Sequence, residues 1–271
     1  MVTLRVRAAG LSDVGRTRAH NEDSFSVDVD NGFFLVADGM GGHGNGEVAS
    51  SLTIEAASGF LRQGENADSE EQSESGMANS ISRTLRSAIE AGHDRVVRAV
   101  AEDEALTGMG TTVVGLMLGS QSVSVAHVGD SRAYLLRDAG LHLVTEDHTW
   151  VNEQVKAGYL SQDQARSHPL KSVVTRAIGG EHDVDVEVQE IEVESGDLFL
   201  LCSDGLTTML SDEEIRTHLV TDEDLEERCA ALVRHANACG GVDNITVILL
   251  DIDADGGAGT QPTATGATPE D

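Results

Sequence analysis

Short apolar runs bounded by turn residues recur along the chain and alternate with longer stretches that have helical spacing. Runs of four to eight residues that are rich in branched side chains favour β-strands. They predict strands over residues 33–37, 111–118, 123–128, 133–136, 198–202 and 245–250, and the helical spacing predicts helices over 46–61, 77–104, 149–157 and 222–237. Strands interleaved with a few long helices predict an α+β domain in which helices cover the sheet faces.

Two segments lack the apolar residues that a packed element needs. Residues 63–76 read QGENADSEEQSESG, and residues 254–271 are rich in glycine, threonine and acids. Such compositions bury too little apolar surface to offset the chain entropy that is lost on folding. We therefore expect one ordered domain over residues 1–253, a mobile acidic loop between two helices at 63–76, and a disordered acidic tail over 254–271.

Charge and cysteine content exclude several classes of protein. The formal net charge of −29 arises from 18 basic and 47 acidic side chains, which disfavours binding to nucleic acid or to an anionic membrane. The three cysteines form no C-x-x-C pair, and no stretch is apolar enough for a signal peptide or a membrane span. The sequence predicts a cytoplasmic protein with neither nucleic acid nor a membrane as a partner.

Four aspartates stand where apolar runs end or begin: Asp38, Asp130, Asp204 and Asp243. Each one alone is explained by turn chemistry, because Asp-Gly and Asp-Asn pairs are common in turns. Together they indicate more, because carboxylates gathered at the rim of a buried core would repel one another. Proteins relieve such repulsion by raising a pKa or by binding a cation, and ligand sets of oxygen atoms select hard ions such as Mg²⁺ or Mn²⁺.

Eight segments in order resemble the protein phosphatase 2C family of metal-dependent protein phosphatases in its compact bacterial form. They are SDVGRTRAHNEDSF, VADGMGGHGNGEVAS, GTTVVGLML, AHVGDSRAYLLR, EDHTW, HPLKSVVTRAIGG, LLCSDGLTTMLSDEEI and DNITVILL. The resemblance implies a four-layer α-β-β-α sandwich, in which two stacked antiparallel sheets are flanked by helices. It also implies a serine/threonine protein phosphatase in which hydroxide bridging two Mn²⁺ or Mg²⁺ ions attacks phosphorus, with a third ion in some members.

Residue by residue, the resemblance implies that Asp38 bridges the two ions and that the carbonyl of Gly39 binds one of them. Asp204 and Asp243 resemble ligands of the other ion. The implied catalytic residues are these three aspartates together with Arg18 and His43. An arginine fork suits bidentate binding of a phosphate dianion, so the resemblance makes Arg18 the phosphate-binding residue.

The residues that the resemblance implies at the edge of the metal centre lie in less specific sequence motifs than the three catalytic aspartates do. Glu22 and Asp23 resemble an acidic pair that holds metal-bound waters, although N-E-D also fits an exposed turn. Asp130 resembles the ligand of a third, weaker ion. The flap over residues 146–180 is expected to add an oxygen ligand there, for which Ser172 is a candidate with a helix cap or turn as the alternative.

Two basic or titratable positions leave alternatives open. Arg16 lies two residues before Arg18 and competes with it for the phosphate. His43 stands three residues after Met40, which holds the place where eukaryotic members of the family have histidine. His43 is a candidate for orienting water or for protonating the leaving oxygen, and a metal-bound water is the other candidate donor.

Three rival functions are weighed against the phosphatase. The segment GDSR at residues 129–132 approaches a serine-hydrolase elbow, but Ala133 replaces the final glycine. Asp251, Asp253 and Asp255 copy the first half of an EF-hand loop, but Pro262 occupies its twelfth position. A pseudophosphatase, a regulatory module of the same fold, is the remaining alternative, and the presence of the ligand residues argues against it. The implied partners are phosphorylated proteins, serine/threonine kinases included, and we expect a monomer.

Overall fold

A computed structural model describes residues 4–41, 45–64, 74–180 and 183–254 of the 271-residue chain. Three sequence predictions fall at least partly outside these ranges. His43 and most of the expected acidic loop are outside them, and so is the expected tail beyond residue 254. The ends of the acidic loop that are described belong to helices on either side of it.

The strands of the described residues form two antiparallel sheets. The first sheet has the order β1 (Leu4–Asp13), β11 (Ile245–Ala254), β10 (Asp197–Cys202), β7 (Arg132–Arg137) and β8 (Gly140–Leu143). The second has the order β2 (Asp23–Asp28), β3 (Phe33–Met40), β5 (Val113–Leu118), β6 (Ser122–Val128) and β9 (Glu187–Glu192), with β4 (Gly110–Thr111) paired to the end of β3.

Helices cover the outer faces of both sheets. On the second sheet they are α1 (Asn45–Gly64) and α2 (Glu74–Glu102), and on the first they are α5 (Asp204–Thr207), α6 (Asp212–Leu219) and α7 (Leu225–Ala238). Two further helices are α3 (Trp150–Lys156) and α4 (Gln162–Arg166). Helices α3 and α4 lie in the predicted flap, and their first turns are capped by the hydroxyls of Thr149 and Ser161. Across the described residues, we find no helix with the length and apolar content that a membrane crossing needs.

Alternation along β3 shows why the sheets stack and why both faces are covered. Phe34 and Val36 point into the cluster between the two sheets, where they pack with residues such as Phe199 of β10. Phe33 and Leu35 point the opposite way, toward residues of α1 and α2. Because successive strand side chains face opposite sides, an apolar run with no polar alternation requires a partner on each face.

The outer face of the first sheet is covered in the same way. Leu200 of β10 and Leu249 of β11 pack against Cys229 and Leu232 of α7. The order of layers is therefore helices, sheet, sheet, helices, which confirms the predicted α+β four-layer α-β-β-α sandwich.

The predicted strand over residues 111–118 is divided in the structure. Thr111 ends β4 and Val113 begins β5, while Thr112 between them donates its backbone N–H to the carbonyl of Asp38 at 2.9 Å. The Thr112 hydroxyl also accepts the Asp38 N–H at 3.3 Å. The register is the same on both sides of Thr112, and the ladder is interrupted because the Asp38 N–H binds the Thr112 hydroxyl and not the Thr112 carbonyl.

Candidate metal centre

Asp38 lies inside a strand and not in a turn. Strand β3 continues through Asp38 and Gly39 to Met40, and Gly39 pairs with Thr111 of β4. The Asp38 carbonyl accepts hydrogen bonds from the Thr112 N–H at 2.9 Å and from the Thr111 hydroxyl at 2.8 Å. With its backbone held in this way, the direction of the Asp38 carboxylate is fixed by the sheet.

Gly39 allows three chain segments to approach one another closely. A Cβ atom at this position would overlap the carbonyl oxygens of Gly46 and Glu22. The Gly39 N–H donates to that same Glu22 carbonyl at 3.1 Å. The absence of a side chain at residue 39 therefore brings the first turn of α1 and the residue before β2 against the end of β3.

Asn244 ties Asp243 to the loop that carries Arg18. Its side-chain oxygen accepts the Glu22 N–H at 2.8 Å, and its amide group donates to the carbonyls of Val14 and His20, each at 2.9 Å. Its own N–H donates to Asp243 Oδ1 at 2.8 Å. One amide side chain thus fixes this loop beside the start of β11.

Arg18 makes an ion pair within the cluster. Its Nη2 donates to Asp243 Oδ2 at 2.7 Å, and its Nη1 lies 3.8 Å from Glu22 Oε2. The side chain is still 46% exposed, so it faces both the carboxylates and solvent. Arg16, the competing residue, donates its Nε to the carbonyl of Asn237 at 2.9 Å and its N–H to Gly241.

Asp204 begins the short helix α5, directly after β10. The preceding residue, Ser203, donates its N–H to the Thr246 carbonyl at 3.0 Å, which extends the pairing of β10 with β11. A Cβ atom on Gly205 would overlap the carbonyl oxygen of Asn244. This close packing sets the Asp204 turn against the Asp243–Asn244 turn.

Asp23 is buried with one oxygen satisfied and the other not. Its Oδ2 accepts hydrogen bonds from the Ser203 hydroxyl at 2.8 Å and from the Thr246 hydroxyl at 2.6 Å. Its Oδ1 is buried without a partner among the described residues. Burial raises the pKa of Asp23 to about 6, opposed by these two hydrogen bonds and supported by the charges of Asp204 and Asp243.

The predicted aspartates lie close enough to raise one another's pKa values. Desolvation, followed by the charges of Asp23, Asp204, Asp130 and Asp243, raises the pKa of Asp38 well above its ordinary value. Burial and then the charge of Asp204 raise the pKa of Asp130 to about 7. Burial and Asp243 likewise raise the pKa of Asp204, although a hydrogen bond with Asp38 lowers it.

These residues fit a hard divalent cation. The donor atoms are carboxylate oxygens, and one of them, Asp23 Oδ1, is buried with no hydrogen bond to any residue that the structure describes. A buried acceptor without a donor costs free energy that a cation or a cation-bound water removes. Oxygen-only ligand sets select Mg²⁺ or Mn²⁺ over softer metals.

Asp130 follows a turn that the flap holds. Gly129 has a φ of 105°, and its N–H and carbonyl both bind His148, at 3.1 and 3.0 Å. Ser172 is exposed in the flap, and among the described residues no hydrogen bond joins it to Asp130. The described contacts between the flap and this turn therefore come from its first residues and not from Ser172.

The structure disfavours two rival functions. Ser131 of the GDSR segment is 1% exposed, and its hydroxyl lies 2.7 Å from that of Thr112, so it does not present a nucleophile to solvent. Asp251 and Asp253 lie within strand β11, paired with Arg7 and Arg5 of β1, and not in a loop of the EF-hand type. Cys202 is fully buried, and burial raises the pKa of its thiol to about 12, as expected of a core residue.

Sequence reasoning missed the residues that orient the carboxylates. Ser203 and Thr246 bind Asp23, and Thr112 binds the Asp38 backbone. A hydroxyl residue beside a conspicuous aspartate is a signal only for Ser203, which immediately precedes Asp204, whereas Thr112 follows a second threonine at the start of an apolar run.

The fold and the carboxylate cluster define an α+β protein with a site for hard divalent cations. A model of the family described as Protein phosphatase 2C matches residues 15–249. The serine/threonine phosphatase Stp of Listeria monocytogenes serovar 1/2a is 38% identical over 245 residues, which are 89% of this chain and 94% of that protein. The chain belongs to the protein phosphatase 2C family.

Mycobacterial relatives agree with this assignment. The serine/threonine protein phosphatase PstP of Mycobacterium tuberculosis is 39% identical over 271 residues, which are 100% of this chain and 49% of that protein, so the chain spans about half its length. A crystal structure of the PstP catalytic domain in complex with two manganese ions has a TM-score of 0.80 and 35% identity, covering 93% of this chain and 100% of that one.

Proposed function

We propose that this chain hydrolyses phosphoserine and phosphothreonine on proteins, and that it uses two Mn²⁺ or Mg²⁺ ions. The observation that carries the proposal is the position of Asp38 among four further carboxylates whose charges raise its pKa. Such a cluster is costly without cations and suits phosphoryl chemistry with them. The binding of two manganese ions by the similar PstP catalytic domain supports the choice of metal.

The proposed ligands follow from where the side chains lie. Asp38 is the bridging ligand, and the Gly39 carbonyl adds a bond to one ion. Asp204 and Asp243, which lie on turns that pack against each other, bind the second ion. A third, outer site is proposed at Asp130, with Ser172 retained as a candidate ligand from the flap.

Glu22 and Asp23 are proposed to hold water molecules of the centre. The unpartnered Oδ1 of Asp23 supports this role, because a water bound to a cation is a strong hydrogen-bond donor. The hydroxyls of Ser203 and Thr246 keep the other oxygen of Asp23 occupied and so fix the direction of Oδ1.

Arg18 is proposed to bind the phosphate of the substrate. Its guanidinium is partly exposed and is aimed at the cluster by Asp243 and Glu22. The planar guanidinium has five N–H donors, so two of them can bind phosphate oxygens while another stays on Asp243. Arg16 is the weaker candidate, because its Nε and backbone N–H bind the carbonyls of Asn237 and Gly241.

Hydrolysis requires a nucleophile, a bound phosphoryl group and a proton for the leaving oxygen. When bound, a pair of divalent ions supplies hydroxide near neutral pH by lowering the pKa of water. Arg18 neutralises charge that grows on the phosphoryl oxygens during attack. His43 remains a proposed proton donor, and no covalent bond to the protein is needed, which agrees with the burial of Cys202.

The test is phosphate release from matched phosphoserine, phosphothreonine and phosphotyrosine peptides, with Mn²⁺, with Mg²⁺ and after full chelation. We expect release from the first two peptides that depends on the metal and is lost in Asp38→Asn. A protein that binds Mn²⁺ but releases no phosphate would be a pseudophosphatase. Undiminished release after chelation would contradict the role of the metal.

We infer that the cellular setting is the cytoplasm, where a monomer opposes bacterial serine/threonine kinases in signalling. The support is the absence of a membrane-crossing helix among the described residues and the names of the similar phosphatases. Light scattering at several concentrations tests the monomer. To test whether kinases are among the targets, loss of phosphothreonine is measured on a purified phosphorylated kinase. The boiled phosphorylated substrate of that kinase is the comparison.

A further inference from the structure

His148 grips Gly129, the residue before Asp130, with two hydrogen bonds. The N–H of Gly129 donates to His148 Nδ1 at 3.1 Å, and the N–H of His148 donates to the Gly129 carbonyl at 3.0 Å. The imidazole is only 6% exposed. Gly129 has a φ of 105°, and a Cβ there would overlap Thr112, so this turn has little freedom to move away from His148.

These contacts define the tautomer of His148. A backbone N–H can only donate, so Nδ1 must be unprotonated and the single proton of the neutral ring lies on Nε2. Nε2 faces Glu187 Oε2 of β9 at 3.2 Å, which accepts that proton in a hydrogen bond. Glu187, His148 and the Gly129 N–H therefore form a chain in which each group orients the next.

The residue beside His148 holds the other end of the same turn. Asp147 accepts two hydrogen bonds from Arg132, from Nε at 2.8 Å and from Nη2 at 2.6 Å. Asp130 lies between Gly129 and Arg132. These two residues are hydrogen-bonded to His148 and Asp147, which are consecutive in the flap. The far end of the flap joins the same point, because Thr175 donates its N–H to the His148 carbonyl at 2.8 Å.

We propose that His148 is a positioning residue that, oriented by Glu187, holds the Gly129–Arg132 turn so that Asp130 faces Asp204 and the metal centre. His148 does not touch the substrate in this proposal. It acts through the backbone of Gly129, and it links the flap to the outer carboxylate. The proposal rests on the proposed function, because Asp130 contributes to catalysis only if the cluster binds metal.

A metal site is the rival explanation for these residues. Single atoms of His127, His148 and Glu187 lie within 4.8 Å of one another. An imidazole that binds a metal through Nε2 must carry its proton on Nδ1, where it would meet the N–H of Gly129. His127 Nε2 is already 2.7 Å from the Glu146 carbonyl, and Arg176 Nη1 lies 3.4 Å from His148 Nε2, so a cation there would face a guanidinium.

The experiment compares His148→Asn with His148→Gln. Asparagine places its amide oxygen near the position of Nδ1 and can still accept the Gly129 N–H, whereas glutamine reaches toward Glu187 and leaves Gly129 unpaired. His142→Gln, on the exposed edge strand β8, is the matched control. Thermal melting of each variant shows whether it is folded.

We expect His148→Gln to lower kcat by about 10- to 100-fold with little change in KM, and His148→Asn to retain most of the activity. In an Asp130→Asn background, His148→Gln should add no further loss, because its effect passes through Asp130. Calorimetric titration with Mn²⁺ should show the weakest binding event lost in Asp130→Asn and weakened in His148→Gln. Equal losses in the Asn and Gln variants, or additive losses in the double variant, would overturn the proposal.

Nitrogen NMR of the histidine rings gives a readout that needs neither metal nor substrate. The proposal requires a neutral His148 with its proton on Nε2, in the chelated protein and after addition of Zn²⁺. A proton on Nδ1, or a ring signal displaced by stoichiometric Zn²⁺, would overturn it in favour of the metal site. If the wild type releases no phosphate, the proposed function fails, while the tautomer and the effect of His148→Gln on Mn²⁺ binding still decide the role of His148.

Discussion

Asp23 and Asp38 lie directly opposite each other on the antiparallel strands β2 and β3. Residues in such a pair project on the same face of a sheet, and like charges there destabilise the pairing. Here the repulsion is increased by burial and by three more aspartates. The fold therefore has an unfavourable electrostatic free energy at this place, and bound cations would offset it.

The first prediction concerns the stability of the metal-free protein. Asp38→Asn should raise the free energy of unfolding at pH 8 in chelator by about 1 to 3 kcal/mol, since a pKa displaced by one unit corresponds to about 1.4 kcal/mol. The gain should shrink at pH 5, where the folded protein already holds a proton on Asp38. Urea unfolding of both proteins at the two pH values measures it.

The control for this prediction is Asp28→Asn on the neighbouring strand, β2. Burial raises the pKa of Asp28, but hydrogen bonds from Arg62 and Asn31 outweigh it and lower the pKa overall. Removing this carboxylate should therefore destabilise the protein. If Asp38→Asn destabilised the chelated protein as Asp28→Asn does, the account of stored repulsion would be wrong.

The second prediction concerns Arg18. Arg18→Ala should raise KM for a small aryl phosphate by about 10- to 100-fold, because a hydrogen bond to a charged group contributes about 1.5 to 3 kcal/mol. Arg18→Lys should recover only part of the loss, since an ammonium cannot bind bidentately. Arg16→Ala, which removes the bond to Asn237, should lower the melting temperature and have little effect on KM. Steady-state kinetics and thermal melting separate the two arginines.

Much of the fold could be predicted from apolar runs, and what was missed has a physical reason. Strand β9 reads EVQEIE and lies at a sheet edge, so its exposed positions carry charges and no apolar run marks it. Helix α6 is short, but its capping box, in which Ser211 and Glu214 bind each other's backbone N–H, is visible in the sequence LSDEEI. Strand β1 pairs with β11 across nearly the whole chain, which no local pattern encodes.

The candidate site could likewise be predicted from the sequence only in part. The aspartates stand out because each follows or precedes an apolar run, whereas their convergence depends on the order of strands in two sheets. The turn reading of Asp38 failed because the ladder with β4, which begins some 70 residues later, extends β3 beyond Gly39. The supporting hydroxyls of Ser203 and Thr246 look like ordinary strand-end residues until the buried Asp23 is placed between them.

The third prediction is a pH dependence of stability in chelator. The folded pKa of Asp130 is about 7, and that of Asp38 is also raised, so the folded state holds protons that the unfolded state has released. Stability must then fall as the pH rises from 6.5 to 8.5, by on the order of 1 kcal/mol per such carboxyl. The titration of His127, whose pKa is lowered by burial, opposes this fall only near the lower end of the window, where the unfolded histidine still binds a proton that the folded one has released. Asp130→Asn should flatten the slope, and Asp163→Asn at an exposed site should leave it unchanged.

The fourth prediction contrasts two glycine substitutions. A Cβ on Gly205 would overlap the carbonyl oxygen of Asn244, whereas one on Gly59, within α1, meets nothing within 4 Å. Gly59→Ala should therefore stabilise the protein by about 1 kcal/mol through helix propensity, with kcat unchanged. Gly205→Ala must separate the turn of Asp204 from that of Asp243, and should lower Mn²⁺ affinity together with stability. Urea unfolding and calorimetric titration test both variants, and wild-type Mn²⁺ affinity in Gly205→Ala would show that the contact between the two turns is not required for metal binding.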